Sequence, residues 1–192
     1  MFGFTVPGDD AVRESLAQLS GAPYSYAEVG ALRHPVFPPG YLADRHRAPL
    51  GHGAACFERA KAALLHWEMF NVAWVRLHPA NPPMAENTVF GISARLYFLW
   101  SLSFCRIAYT VEDKGEVERF GFGLGTLPGH ILAGEERFTV EWNRTDDSVW
   151  YHVSAFSRPD QLLSRLGYPV VRLMQKRFAR DSHEAMIRAT AV

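Results

Sequence analysis

Residues 119–130 read RFGFGLGTLPGH, with Gly121, Gly123 and Gly125 at alternate positions and Phe120, Phe122 and Leu124 between them. In an extended strand successive side chains point to opposite faces, so this spacing gives one face of large apolar groups and one of bare backbone. Glycine costs a strand entropy and offers nothing to pack, so three on one face predict close approach by a helix, another backbone or a ligand. A helix crossing a curved sheet, with the bare face as its clearance, satisfies the pattern without a ligand. The following turn, Thr126 to His130, is then the expected place for function.

Short apolar runs separated by turn residues flank this strand. Further strands are predicted at 72–78, 88–97, 103–111, 135–143 and 148–157, with an earlier one at Tyr24 to Leu32. In 137–143, Phe138, Val140 and Trp142 alternate with polar residues, and Thr145-Asp146-Asp147 closes a hairpin. Between Arg33 and Gly53, Pro35, Pro38, Pro39, Gly40, Pro49 and Gly51 predict an irregular loop. Asp9 and Asp10 are expected to cap a helix through Leu19, and Phe57, Ala60, Leu64 and Trp67 recur at helical spacing over 54–69. Pro159 suits the first position of a short helix through Leu166, and Pro169 that of a long one through Arg188. One strand, a helical connection, six strands with short turns and a terminal amphipathic helix predict an α+β fold: a seven-stranded antiparallel sheet wrapped around a long C-terminal helix.

A chain of 192 residues fits a single domain over 1–192, with its core at 24–188 and a short N-terminal helix at 9–20. Twenty basic and twenty acidic side chains cancel, which gives no net field for nucleic acid, so no nucleic-acid partner is expected. No positive leader with an apolar core opens the sequence, Cys56 and Cys105 lack metal or redox spacing, and the apolar stretch 92–107 is broken by Arg95 and Arg106. A cytoplasmic location with no integral membrane segment is the expectation. The eight histidines lack metal-ligand spacing, and the glycine stripe lacks dinucleotide-loop spacing, so neither metal nor cofactor is expected.

His130, Glu135 and Glu136 are close in sequence, and an imidazole beside a carboxylate is the minimum for general acid–base work. Alternation allows only one of the two glutamates to face the interior. Arg158, where the last strand meets the terminal helices, has a fork suited to a ligand carboxylate or phosphate, or to an internal pair with Glu135 or Glu136. Trp67, Met69, Trp100, Met174 and Phe178 are candidate walls of an apolar cavity between sheet and terminal helix.

Trp67-Glu-Met-Phe70, Gly125-Thr-Leu-Pro-Gly-His130, Gly134-Glu-Glu-Arg-Phe138 and Ala155-Phe-Ser-Arg-Pro159, in that order, resemble the bacterial and plant domain-of-unknown-function family nineteen-ninety. The order of elements is also similar to the START-like, or SRPBCC, helix-grip superfamily. That resemblance implies a pocket for lipids, sterols or other apolar molecules, and in some members cyclase or hydrolase activity. The expected function is therefore binding of a small apolar molecule. The alternatives are a cyclase-, dehydratase- or hydrolase-type enzyme using His130 with Glu135 or Glu136, and a protein-interaction module with a filled core. Oligomeric state stays open.

Overall fold

The computed structural model describes residues 2–160 and 167–191. In chain order it contains β1 (Phe2–Gly3), α1 (Asp9–Leu19), β2 (Leu42–His52), α2 (Gly53–Leu65), β3 (Val75–His78), β4 (Val89–Leu96), β5 (Leu99–Asp113), β6 (Val117–Thr126), β7 (Leu132–Asn143), β8 (Ser148–Pro159) and α3 (Tyr168–Thr190). The strands form one antiparallel sheet in the order β2-β8-β7-β6-β5-β4-β3, and the two-residue β1 pairs with β5. Strands β3 to β8 are a meander, whereas β2 and β3 are opposite edges. The chain between those edges must therefore cross the sheet, and α2 with a 3-10 turn at Glu68–Phe70 makes that crossing on the concave face.

Seven strands make up the main path, but the first is not the segment expected. Tyr24 to Leu32 is irregular and leads into a 3-10 turn at Ala31–Arg33, while β2 arises in the proline- and glycine-rich stretch. An edge position explains why β2 tolerates Pro49: among the described residues the strand pairs only with β8, and the register slips between Pro49 and Gly51. Helix α1 starts on Gly8, with Asp9 and Asp10 in its first turn, where they meet the helix dipole without a side-chain cap bond. Pro159 ends β8 opposite Leu132 and does not open a helix; the rest of the short helix expected there, 161–166, lies outside the described residues.

The glycine stripe faces the other way from the expectation. Phe122 and Leu124 point into the concave core, where the Phe122 ring lies 4.9 Å from Trp67 and 5.6 Å from Phe138. The glycines therefore lie on the outer face, away from the terminal helix. A Cβ at Gly123 would overlap the Tyr109 ring, and one at Gly125 would come within 2.8 Å of the Tyr24 ring and meet the Tyr26 hydroxyl. Clearance is needed for tyrosines covering the sheet from outside.

Inside, Phe70, Phe138 and Phe178 join sheet, 3-10 turn and α3, with Phe70 5.2 Å from Phe178. Each such ring contributes about 1.5–3 kcal/mol by burial. Polar ties fix the helix axis: Trp74 Nε1 donates to Asp181 at 2.8 Å, the Tyr151 and Ser182 hydroxyls lie 2.8 Å apart, and Arg59 Nε donates to the Thr190 carbonyl at 3.0 Å.

Candidate functional site

Along the inner face of β8 the side chains shrink from Tyr151 through Val153 to the small Ala155 and Ser157, and along β7 from Phe138 through Glu136 to Gly134. Large groups fill the core at one end, and small ones leave a gap at the other. The gap is a cavity of about 430 Å³ between the concave face and the N-terminal half of α3. Trp74, Val75, Ile92, Ala94, Leu96 and Leu99 form its sheet-side apolar wall, and Val171, Met174 and Phe178 its helix wall. The core is thus not filled at this end.

The polar end is built from β2, β7, β8 and α3. Arg172 donates from Nη1 and Nη2 to the two Asp44 oxygens at 2.6 and 2.8 Å, and also to Gln175 Oε1 at 2.7 Å; Gln175 Nε2 donates to Ser157 Oγ at 3.1 Å. The Arg172 bond holds the Asp44 carboxyl below its usual range. Glu136 points into the same space, in register with Ala155 and, one strand further, Asp44. Its carboxyl has no hydrogen bond or ion pair among the described residues. Burial, and to a smaller extent the Asp44 charge, pushes it up to about 8.

His130 lies on the cavity wall, but its Nδ1 accepts the Leu132 N–H at 3.0 Å, which leaves the proton on Nε2. Burial lowers its pKa to about 4, so the ring is neutral near pH 7. No hydrogen bond joins His130 to either glutamate among the described residues.

Glu135 is turned to the outer face. Its Oε2 accepts from the Tyr26 hydroxyl at 2.9 Å and the Gly30 N–H at 2.6 Å, and its Oε1 from the Leu32 N–H at 3.0 Å and the Tyr109 hydroxyl at 3.1 Å. Burial and this carboxylate both drive Tyr26 and Tyr109 to higher pKa. Nearby, Thr126 Oγ1 accepts the Gly134 N–H at 3.0 Å, and the Thr126 carbonyl accepts the Ser25 N–H at 3.0 Å. The Gly125-Thr126 and Gly134-Glu135 motifs therefore clamp segment 24–33 onto the sheet. One signal for this was available in sequence: Gly125 and Glu135 are cross-strand partners, so bare backbone lies beside an acid on one face.

Of the apolar candidates, Met174 and Phe178 border the cavity. Trp67 and Met69 are buried in the filled core, where Trp67 Nε1 donates to the Pro82 carbonyl at 2.7 Å. Trp100 lies under the Arg76 guanidinium, 5.4 Å from its ring centre, and does not line the cavity. Arg158 is exposed, pairs with neither glutamate, and sits 4.9 Å over the Tyr41 ring on the outer face. Sequence reading missed Asp44, Arg172 and Gln175, because β2 was not expected as a strand and its pairing to α3 depends on that edge. No group of three or more potential metal ligands occurs among the described residues.

The chain belongs to the family described as Domain of unknown function (DUF1990), whose model matches residues 25–185. It is 39% identical over 155 residues to a UPF0548 protein of Dictyostelium discoideum, covering 76% of this chain and 71% of that one. Among solved structures, the hypothetical protein jhp0584 from Helicobacter pylori aligns with TM-score 0.52 and 14% identity, over 81% of this chain and 95% of its own. Human STARD10 aligns with TM-score 0.47 and 11% identity, over 97% of this chain and 80% of its own. The antiparallel sheet closing on a C-terminal helix is the helix-grip architecture expected from the order of elements. No helix among the described residues is long and apolar enough to cross a membrane.

Proposed function

We propose that this member of the DUF1990 family binds a small, largely apolar molecule between the sheet and the terminal helix, against Met174 and Phe178, with Glu136 as its polar contact. The supporting observation is the cavity of about 430 Å³, apolar along most of its wall and ending in a few polar groups. Close packing is the rule in protein interiors, so a gap of this size built by tapering side chains on two neighbouring strands calls for an occupant. Native mass spectrometry of protein purified from its own host tests the reading. A non-covalent apolar adduct is expected in the wild type and not in Ala155→Trp, which fills the floor of the cavity. No adduct in either protein, together with no uptake of added octanol, overturns it.

A second reading rests on Glu136 and His130 sharing one cavity. A carboxyl that titrates near neutrality can exchange a proton with a bound substrate, and a neutral imidazole with its Nε2 proton can donate a hydrogen bond. A proton-transfer enzyme of cyclase, dehydratase or hydrolase type would use these two residues. Glu135, with four donors on its carboxylate, is held for structure. Once a substrate is identified, Glu136→Gln and His130→Ala should each retain binding and lose turnover; unchanged turnover in both rejects this reading.

A further inference from the structure

We infer that the ligand of this cavity carries a basic nitrogen, protonated when bound, that pairs with the carboxylate of Glu136; the inference rests on the cavity being the binding site. Three observations carry it. Glu136 faces the cavity with no hydrogen bond or ion pair among the described residues, whereas Asp44, on the same polar wall, is matched by both Nη groups of Arg172. The floor between the two carboxylates is Ala155, directly opposite Glu136 and on β8 between it and Asp44. A small headgroup can therefore sit on a methyl group beside Glu136 without displacing a larger side chain. The remaining walls are mostly apolar, so an anchoring polar group has few other partners.

The sign of the charge follows. A ligand carboxylate at this place would meet two acids, Glu136 and Asp44, with Arg172 already forked onto Asp44 and Lys176 the other basic side chain on the described wall. A neutral alcohol would gain one hydrogen bond. An ammonium would gain a charge-assisted one and neutralise the acid.

A carbonyl ligand accepting a proton from neutral Glu136 is the competing case, and pH separates the two. Facing Glu136 are Asp44 and His46 from β2, Cys105 from β5, Tyr151 from β8, Arg172 and Lys176 from α3, and His130 from the loop before β7. Between about pH 6 and about pH 9, Asp44 stays ionised while His130, Cys105 and Tyr151 stay neutral. His46 also borders the cavity, so His46→Gln serves as the control.

The experiment is isothermal titration calorimetry of the full chain with octylamine, octanol and octanoate, below their aggregation concentrations, at about pH 6 and about pH 9. Octylamine should bind about ten- to a hundredfold tighter than octanol at the higher pH, with octanoate weakest. The amine's advantage should shrink at the lower pH, persist in His46→Gln and vanish in Glu136→Gln, where octylamine should bind no tighter than octanol. Octanol binding as tightly as octylamine overturns the inference and leaves the cavity reading intact. An amine preference that survives Glu136→Gln also overturns it. If none of the three binds, the cavity reading itself fails.

Discussion

Glu135 and Glu136 are neighbours on one strand, yet the two faces of the sheet make opposite use of them. On the outer face four donors surround the Glu135 carboxylate, and the glycines beside it admit the tyrosines that supply two of those bonds. On the inner face Glu136 meets small side chains and a cavity, with no donor among the described residues. A buried acid surrounded by hydrogen-bond donors anchors structure, whereas the same acid without them destabilises its charged form and is available to a ligand. The contrast follows from the two-residue period of a strand, which sends consecutive side chains into different environments.

The largest effect expected is at Glu135. Glu135→Ala leaves two tyrosine hydroxyls and the Gly30 and Leu32 N–H groups without their acceptor, and should cost about 3–5 kcal/mol in urea denaturation. A loss smaller than that of Glu136→Ala would break the contrast. Next comes the outer-face clearance: Gly123→Ala forces a methyl into the Tyr109 ring and should cost about 1–3 kcal/mol by thermal melting. An unchanged melting temperature would show that the tyrosine layer yields easily.

Glu136→Gln should act in the opposite direction and depend on pH. In the fold Glu136 keeps its proton up to about 8, while the ordinary glutamate value is 4.5, so between these values the native state binds the extra proton and stability falls as pH rises. The variant should therefore be close to the wild type near pH 5 and more stable than it near pH 8.5. Burial lowers His130 and His183 to about 4 from an ordinary 6.5, which makes stability rise with pH across that lower window. Wild-type stability should consequently peak near pH 6.5, and Glu136→Gln should turn the decline above it into a plateau. Melting temperatures across the range read both. Smallest is Arg158→Met, which removes a stack on Tyr41 at the outer surface and should cost no more than about 1 kcal/mol, with octanol binding unchanged.

Much of this was legible in sequence because it depended on local period. Alternation over 137–143 and the short turns around it indicate the meander, and the stripe through Met174 and Phe178 indicates a helix needing a sheet. Alternation also required that only one of Glu135 and Glu136 face inward. What alternation cannot reveal is which face a glycine stripe presents, since that depends on segments distant in sequence: Tyr24 and Tyr26 reach Gly125 from about a hundred positions away. Nor does local composition disclose an edge. Pro49 and Gly51 read as loop residues, and only the open side of β2 lets them stand in a strand that carries Asp44 to the cavity.

The most direct measurement is carbon-13 NMR of the Glu136 side-chain carboxyl, followed from about pH 4 to about pH 10 with and without octylamine. A midpoint near 8 in the free protein, moved downward when the amine occupies the cavity, is the expected result. A midpoint at the ordinary value of 4.5, unmoved by ligand, would contradict the assignment of Glu136 to a ligand cavity.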